Sequence, residues 1–353
     1  MSPIVGYTRF RRHQLGLQTV LNTGVAATRR LGVRGVPDIN PNWTDQDEVD
    51  TGSIDTVLAP YRVGSDLTLP LAFNPLNFND IPLIMSAGVI GGQTAAAIGG
   101  GGYTWTHAAD SLAATTLDYF TDEFADDANN LDSGPPEDGI QLIGGVIQRI
   151  ELTMPEGLGP WQASTSWRFS KVNAHVTPTA GLLLSSNSVI AFGADTALFI
   201  DDTSGGIGGT QITDSLHSAS IVIENTLDLK RFANGSNTRF QIDGYGLAAR
   251  AITATFRFAK TSAIVAALNS ETVDWLSADA VNRYVSLVTT STALAEAGNP
   301  YSWNQRFSGT WRTRAEQEIG GNSVVELSMM GRYDLGLGYP YRSVAVNTLA
   351  TKP

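Results

Sequence analysis

Apolar and polar residues alternate along much of the chain. From Asp66 to Phe73, Leu67, Leu69, Leu71 and Phe73 fall on one side, and Asp66, Thr68, Pro70 and Ala72 on the other. A period of two marks a half-buried strand. Pro70 has no N–H to donate, so it predicts a sheet edge or a bulge. Residues 161–170 repeat the pattern, with Trp161, Ala163, Thr165, Trp167 and Phe169 set against Gln162, Ser164, Ser166, Arg168 and Ser170. The same reading predicts strands over 147–154, 188–200, 218–229, 251–258, 284–290, 303–313 and 324–333, most of them rich in β-branched and aromatic residues. Two short stretches have helical spacing instead. In Ile81 to Val89, Ile81, Ile84 and Met85 share a face, Pro82 sits in the first turn, and Asp80 is placed to cap the start. The second is Ser262 to Leu268, with a continuation through Val273 to Leu276.

An alternating strand that ends in phenylalanine precedes each helix: Leu67-x-Leu69-x-Leu71-x-Phe73 the first, Ile252-x-Ala254-x-Phe256-x-Phe258 the second. This predicts one strand-to-helix unit used twice, with a seam near 172–187. The expected architecture is mainly β, with two tandem sandwich or barrel modules, each flanked by a short helix. The expected boundaries are a basic N-terminal arm at 1–37, modules at 38–175 and 188–335, and an extended C-terminal segment at 336–353. Glycine-rich residues 90–102 and turn-rich residues 201–211 are expected as loops. Residues 118–138 hold eight acids and no base and are expected as a long solvated loop.

Charge sharpens this division. Residues 1–37 contain Arg9, Arg11, Arg12, Arg29, Arg30 and Arg34 and no acid, whereas the whole chain has a net charge of −11. A basic arm beside an acidic body is expected to fold back on that body or to dock on a neighbouring copy, which makes these six arginines candidate interface residues. Asp122, Glu123, Asp126, Asp127, Asp132, Glu137 and Asp138 are the candidates for an acidic surface or lumen. An acidic body repels polyanions, which argues against gripping nucleic acid and fits letting it slide past. Of the 23 bases, 19 are arginine, the residue suited to bidentate interface ion pairs, although genome composition can produce the same bias.

Candidate chemistry is sparse. The chain has no cysteine, so disulfides and thiolate metal sites are excluded. His13, His107, His175 and His217 show no metal-ligand spacing and are expected in surface or capping roles. Neither a G-x-S-x-G elbow nor a phosphate-binding glycine motif is present, and the acids of 118–138 do not follow a calcium-loop spacing. No cofactor is expected, and an enzyme has the least support. Trp161, Trp167, Trp303 and Trp311 are expected in core or interface packing; a stacking platform for glycan or single-stranded nucleic acid is the alternative. The N-terminus lacks the apolar run of a signal peptide, and the glycine-rich uncharged stretch from Ile81 to Ala109 is not expected to span a membrane.

Three sets of segments carry a family likeness. The first is NTGVAATRRL followed by TGSIDTVLAPYRVGSDLTLPLAFNPLNFNDIPLIMSAGV; the second is GGVIQRIELTMPEGLGPWQASTSWRFSKV. The third repeats the unit as SASIVIENTLDLKR and RAITATFRFAKTSAIVAALN. In their order, these segments resemble the major tail tube proteins of long, non-contractile-tailed bacteriophages. The resemblance implies a β-sandwich or barrel with a flanking helix, whose sheets join between copies into an inner barrel. Two tandem modules imply rings of three copies with pseudo-sixfold symmetry, stacked into a tube in the virion tail. They imply assembly in the bacterial cytoplasm alongside the tape measure and other tail proteins, and passage of double-stranded DNA through an acidic channel without specific binding. A capsid or decoration protein, or another virion component with a β-sandwich, is the structural alternative.

Overall fold

The computed structural model describes residues 13–33, 40–47, 60–110, 116–124, 139–157, 159–174, 176–182, 189–232, 241–269, 282–319 and 322–352. In the first half, β1 (Gln14–Gln18), β2 (Arg29–Arg30), β3 (Asn40–Asp47) and β4 (Pro60–Phe73) precede helix α1 (Ile81–Gly88). A hairpin of β5 (Ala96–Gly99) and β6 (Gly102–Ala108) follows, then β7 (Tyr119–Phe124), β8 (Ile140–Met154), β9 (Gln162–Phe169) and β10 (Lys171–Ala174). The second half contains β11 (Thr196–Asp201), β12 (Gln211–Ile212), β13 (Leu216–Lys230) and β14 (Gly244–Ala259). Helix α2 (Ser262–Asn269) leads to β15 (Arg283–Glu296), β16 (Asn299–Ile319), β17 (Asn322–Gly331) and β18 (Tyr341–Asn347). The protein is mainly β, with antiparallel pairings and two short helices.

The pairing scheme is used twice. In the first half β2 pairs β1, β1 pairs β7, β7 pairs β8, β8 pairs β9 and β10, β9 pairs β4, and β4 pairs β3. In the second half the partners are β12–β11, β11–β15, β15–β16, β16–β17 and β16–β18, β17–β14, and β14–β13, in the same order. The registers align residue by residue. If Leu67 is matched to Ile252, then Ala163 matches Val325, Ile150 matches Arg314, Asp122 matches Ser286 and Gln14 matches Leu198. One element breaks the correspondence. Among the described residues the β5–β6 hairpin has no counterpart in the second half, and it pairs through β6 with β18.

The halves join where β8 pairs β13, from Arg149 opposite Glu224 to Met154 opposite Ala219. A continuous sheet therefore runs β3–β4–β9–β8–β13–β14–β17–β16. One face of it is core: Leu67, Leu69, Leu71, Phe73, Trp167, Phe169, Ile150, Leu152, Ile221, Ile223, Phe256, Phe258 and Leu327 are all buried. Each large side chain buried in this way stabilises the fold by roughly 1.5–3 kcal/mol. Trp161 and Trp303, one from each half, meet edge to face at 5.2 Å between ring centroids. Helix α1 is buried along its whole length, so its helical face does not distinguish Ile81, Ile84 and Met85 from the rest. Pro70 lies opposite Ser166 of β9, two residues beyond Thr68, the last β4 residue with a described β3 partner.

Within 1–37, β1 pairs with the first half's own β7 and β2 pairs with β1, so this part of the arm folds back on its own body. Within the extended C-terminal segment, Tyr341–Asn347 forms β18, between β16 and β6. The strand expected over 188–200 begins only at Thr196, after a single 3-10 turn at Gly193–Asp195. Gly99, Gly100 and Gly101 make the β5–β6 turn with positive φ, which glycine adopts without a Cβ penalty. The expected continuation of the second helix through Val273 to Leu276 lies outside the described residues.

Candidate assembly surface

Among the described residues, both ends of the continuous sheet, β3 and the far end of β16, lack a neighbouring strand. Residues 149–153 of β8 pair with both β9 and β13, so those two strands flank it on opposite sides. In the second half Gly309 of β16 pairs with both Arg283 of β15 and Gly331 of β17, so these also flank it. β15 goes no further than Gly309, and beyond that point no described strand lies on that side of β16 up to Ile319. This bare edge corresponds to the one on which β8 receives β13. Likewise β13 lies between β14 and β8, whereas its counterpart β3 has β4 on one side and no described strand on the other. A partner for each open edge thus exists in the same chain, at the position that the internal joint already uses.

The outward face of the continuous sheet is small and polar. It presents Thr68, Pro70 and Ala72 from β4, Ser164 and Ser166 from β9, Thr153 from β8, Ser220 from β13, Thr253 and Thr255 from β14, and Ser328 from β17. Its described carboxylates include Asp66, Glu151, Glu224, Asp228 and Glu326. Arg149 Nη2 is 3.1 Å from Glu151 Oε2 and its Nε 3.2 Å from Glu224 Oε1; Arg257 Nε is 2.6 Å from Glu326 Oε2; Arg168 pairs with Asp66. Arg312, in the β16 bulge, leans on Met330 Sδ at 3.5 Å. On this face the acids Asp66, Glu224 and Glu326 are each paired with a cross-strand arginine, and Glu151 with Arg149 of its own strand.

The predicted interface residues separate. Arg29 donates to Asn79 O at 3.0 Å and to Asp80 Oδ1 at 2.6 Å, so it anchors the arm to its own body. Asp80 consequently does not cap α1; its carboxylate accepts from Arg29 and Asn77, and burial, the dominant influence, raises its pKa despite both partners. Arg30 lies on β2 opposite Gln14. Arg9, Arg11, Arg12 and Arg34 lie outside the described residues.

The acids of 118–138 separate too. Asp122 and Glu123 are not in a solvated loop but on β7, almost fully buried. Asp122 Oδ2 is 2.8 Å from His13 Nδ1, and Glu123 Oε2 accepts from the Thr179 N–H and hydroxyl at 2.9 and 2.8 Å. Burial raises the Asp122 pKa, against the pull of His13. Neither residue can line a lumen. Asp126, Asp127, Asp132, Glu137 and Asp138 lie outside the described residues.

Two histidines expected at the surface are buried, His13 on Asp122 and His107 at 3.1 Å from Ser86 Oγ. His217 Nδ1 is 3.5 Å from Glu156 Oε1, and His175 lies outside the described residues. Trp161, Trp167, Trp303 and Trp311 are all in the core, which leaves none of them for a stacking platform. Among the described residues there is no group of three or more metal-ligating side chains, and no helix long and apolar enough to cross a membrane. No protein-family model matches the chain, and no curated protein matches it.

Proposed function

We propose that the protein is the structural subunit of a phage tail tube, built from two sandwich-like tail-tube modules and polymerising into stacked rings around a channel for DNA. The observation that carries this reading is the pair of complementary open edges. Adding β3 of one copy to β16 of the next repeats the internal β8–β13 joint. Each subunit then contributes two modules to one closed wall, and three copies make a ring of pseudo-sixfold symmetry. Closure removes edges that would otherwise pair without limit. Rings meet head to tail, a contact that does not close on itself, so they continue as a cylinder. The channel side would be the small, polar sheet face, where the arginines of the ladder are held by carboxylates and are not free to grip phosphate. No cofactor or catalytic residue is required. The tape measure and other tail proteins are the expected partners, in a virion tail assembled in the bacterial cytoplasm.

The register makes the reading testable. The internal joint sets Arg149 against Glu224, and the correspondence sets Thr313 against Asn42 of the neighbouring copy. Because the chain lacks cysteine, Asn42→Cys with Thr313→Cys introduces the only thiols. Oxidation should give covalently linked trimers, and electron microscopy should show hollow cylinders. Monomeric protein that neither cross-links nor forms rings would reject the proposal.

A further inference from the structure

Behind the continuous sheet, β15, β16, β18 and β6 pair side by side as a second layer. Phe307 and Tyr341 are its inward side chains, and Phe307 meets Phe256 of the continuous sheet edge to face at 6.1 Å. Residues at the alternate positions therefore point away from the core. On that face Arg306 of β16 and Arg342 of β18 stand directly opposite each other, between Ser286 of β15 and Ala108 of β6. The next row is Val288, Asn304, Val344 and Thr106. Neither row contains a carboxylate. Like charges set opposite each other across a ladder repel. Among the described residues neither arginine forms an ion pair, and the Nε of each is buried without a hydrogen-bond partner. Arg29, Arg149, Arg168, Arg257 and Arg283, in contrast, are each held by a carboxylate.

The fold does not require this pair. With Asp122 matched to Ser286, Leu142 stands in the first half where Arg306 does in the second, and Val172 where Arg342 does. Ser170 alone joins β9 to β10, whereas residues 332–340 join β17 to β18. That added loop is tied at both ends: Arg332 N donates to Ser308 O at 2.8 Å, and Ser308 N to Pro340 O at 2.9 Å. Within it, Asp334 accepts from the Tyr284 hydroxyl at 2.7 Å and from the N–H groups of Gly336 and Leu337, each at 2.9 Å. The loop sets the buried Tyr339 ring beneath Arg342, whose guanidinium carbon lies 5.8 Å from the ring centroid. Stacking on an aromatic face fixes a guanidinium and leaves its N–H edge available. Ser308, two residues from Arg306 on the same face, is fully buried with an unpartnered hydroxyl. We propose that Arg306 and Arg342 form a binding site for a phosphate group, with Tyr339 holding Arg342 in position. Two guanidinium forks side by side match a tetrahedral dianion, whereas a single carboxylate engages one fork. A dianion also cancels the repulsion between the two cations. The site faces away from the continuous sheet and does not depend on the ring proposed above.

The test uses the full-length unassembled subunit and inorganic phosphate, with chloride at matched ionic strength as the control. Equilibrium dialysis should show saturable binding. Arg306→Gln and Arg342→Gln should each weaken it about tenfold or more, and Tyr339→Leu should weaken it less. Arg306→Lys with Arg342→Lys keeps both charges but loses both forks, and it should also bind more weakly. Phosphate should raise the urea midpoint of the wild type and leave that of the glutamine variants unchanged, because a ligand bound only by the folded chain stabilises it. In chloride all variants should unfold in a single transition like the wild type, since neither arginine has a protein partner to lose. Sedimentation with vesicles containing phosphatidic acid identifies the source of the phosphate. Capture that free phosphate competes away assigns the site to a lipid headgroup; phosphate binding without capture assigns it to the free ion or a soluble phosphate ester. Phosphate binding no stronger than that of chloride, or binding that the glutamine variants leave intact, would overturn the proposal.

Discussion

His107 offers a sharp test of how the β5–β6 hairpin is held. Its ring is on β6, buried against Ser86 of α1. Ser86 Oγ donates to Pro82 O at 2.7 Å, so at its 3.1 Å contact with His107 it must accept, and Nε2 carries the ring proton. Nδ1 is then a bare lone pair with no partner among buried atoms, tolerable in a neutral ring but not when protonated. Burial first, and the Lys352 ammonium second, push the pKa from 6.5 down to about 3. Because the folded value is depressed, the stability carried by the neutral ring is whole above pH 6.5 and is lost as pH falls towards the folded value, at about 1.4 kcal/mol per unit. At pH 4.5, roughly two units below the unfolded value, the loss is about 2.7 kcal/mol, a sizeable part of the ~5–15 kcal/mol of a folded domain. His107→Gln keeps a donor for Ser86 and removes the titration. Urea unfolding of the unassembled subunit from pH 7 to pH 4.5 should show wild type losing about 2.7 kcal/mol more than the variant. Parallel pH profiles for the two proteins would refute the account.

Two further predictions concern charges that the fold neutralises. Arg29→Ala leaves the Asp80 carboxylate buried beside Asn77 alone and should cost about 3–5 kcal/mol in urea unfolding, with Asp80→Asn in the same background recovering more than half; no recovery would mean that Arg29 acts through packing. Changing Glu151, Glu224 and Glu326 together to Gln frees Arg149 and Arg257 on the outward face. Tubes of this variant should retain double-stranded DNA at low salt and release it as salt rises, whereas wild-type tubes retain none, measured by co-sedimentation. Equal retention by both would show that this face does not meet the DNA.

The long strands were legible because their inward positions are uniformly apolar, as in Leu67 to Phe73. β18 was not, although it alternates just as strictly, because two of its four buried side chains, Ser343 and Asn347, are polar. Trp303 Nε1 donates to Ser343 Oγ, and Asn347 Nδ2 to Phe78 O. β1 was hidden for the same reason: Gln14 and Gln18 are buried because they bond Thr179 O and Thr23 O. Asp122 and Glu123 were assigned to solvent because nothing near them in sequence can hold a buried carboxylate. Their partners, His13 and Thr179, arrive from far along the chain through the β1–β7 pairing and the segment after β10. The duplication was visible only as one strand-to-helix unit, since its remaining correspondence is carried by hydrogen-bond register and not by residue identity. The open edges follow from that register and had no local signal at all.

The same register explains why two equivalent edges carry different residues. The β8–β13 joint forms within one chain as it folds, so Ile150, Leu152 and Met154 pass directly from the unfolded chain into a buried core, the usual route by which apolar area stabilises a domain. In the proposed assembly, the corresponding end of β16 stays in water until a second copy arrives. An apolar Ile-x-Leu-x-Met row on an exposed edge would pair with any strand it met; on the proposed assembly, Arg314, Glu316 and Glu318 would keep that edge soluble and restrict its partners to those with complementary charge. Reverting Glu316 and Glu318 to the apolar residues of the first half should therefore trade ordered rings for amorphous aggregate, visible by light scattering before any cylinder forms. Ordered assembly by such a variant would mean that the charges at this turn serve neither solubility nor choice of partner.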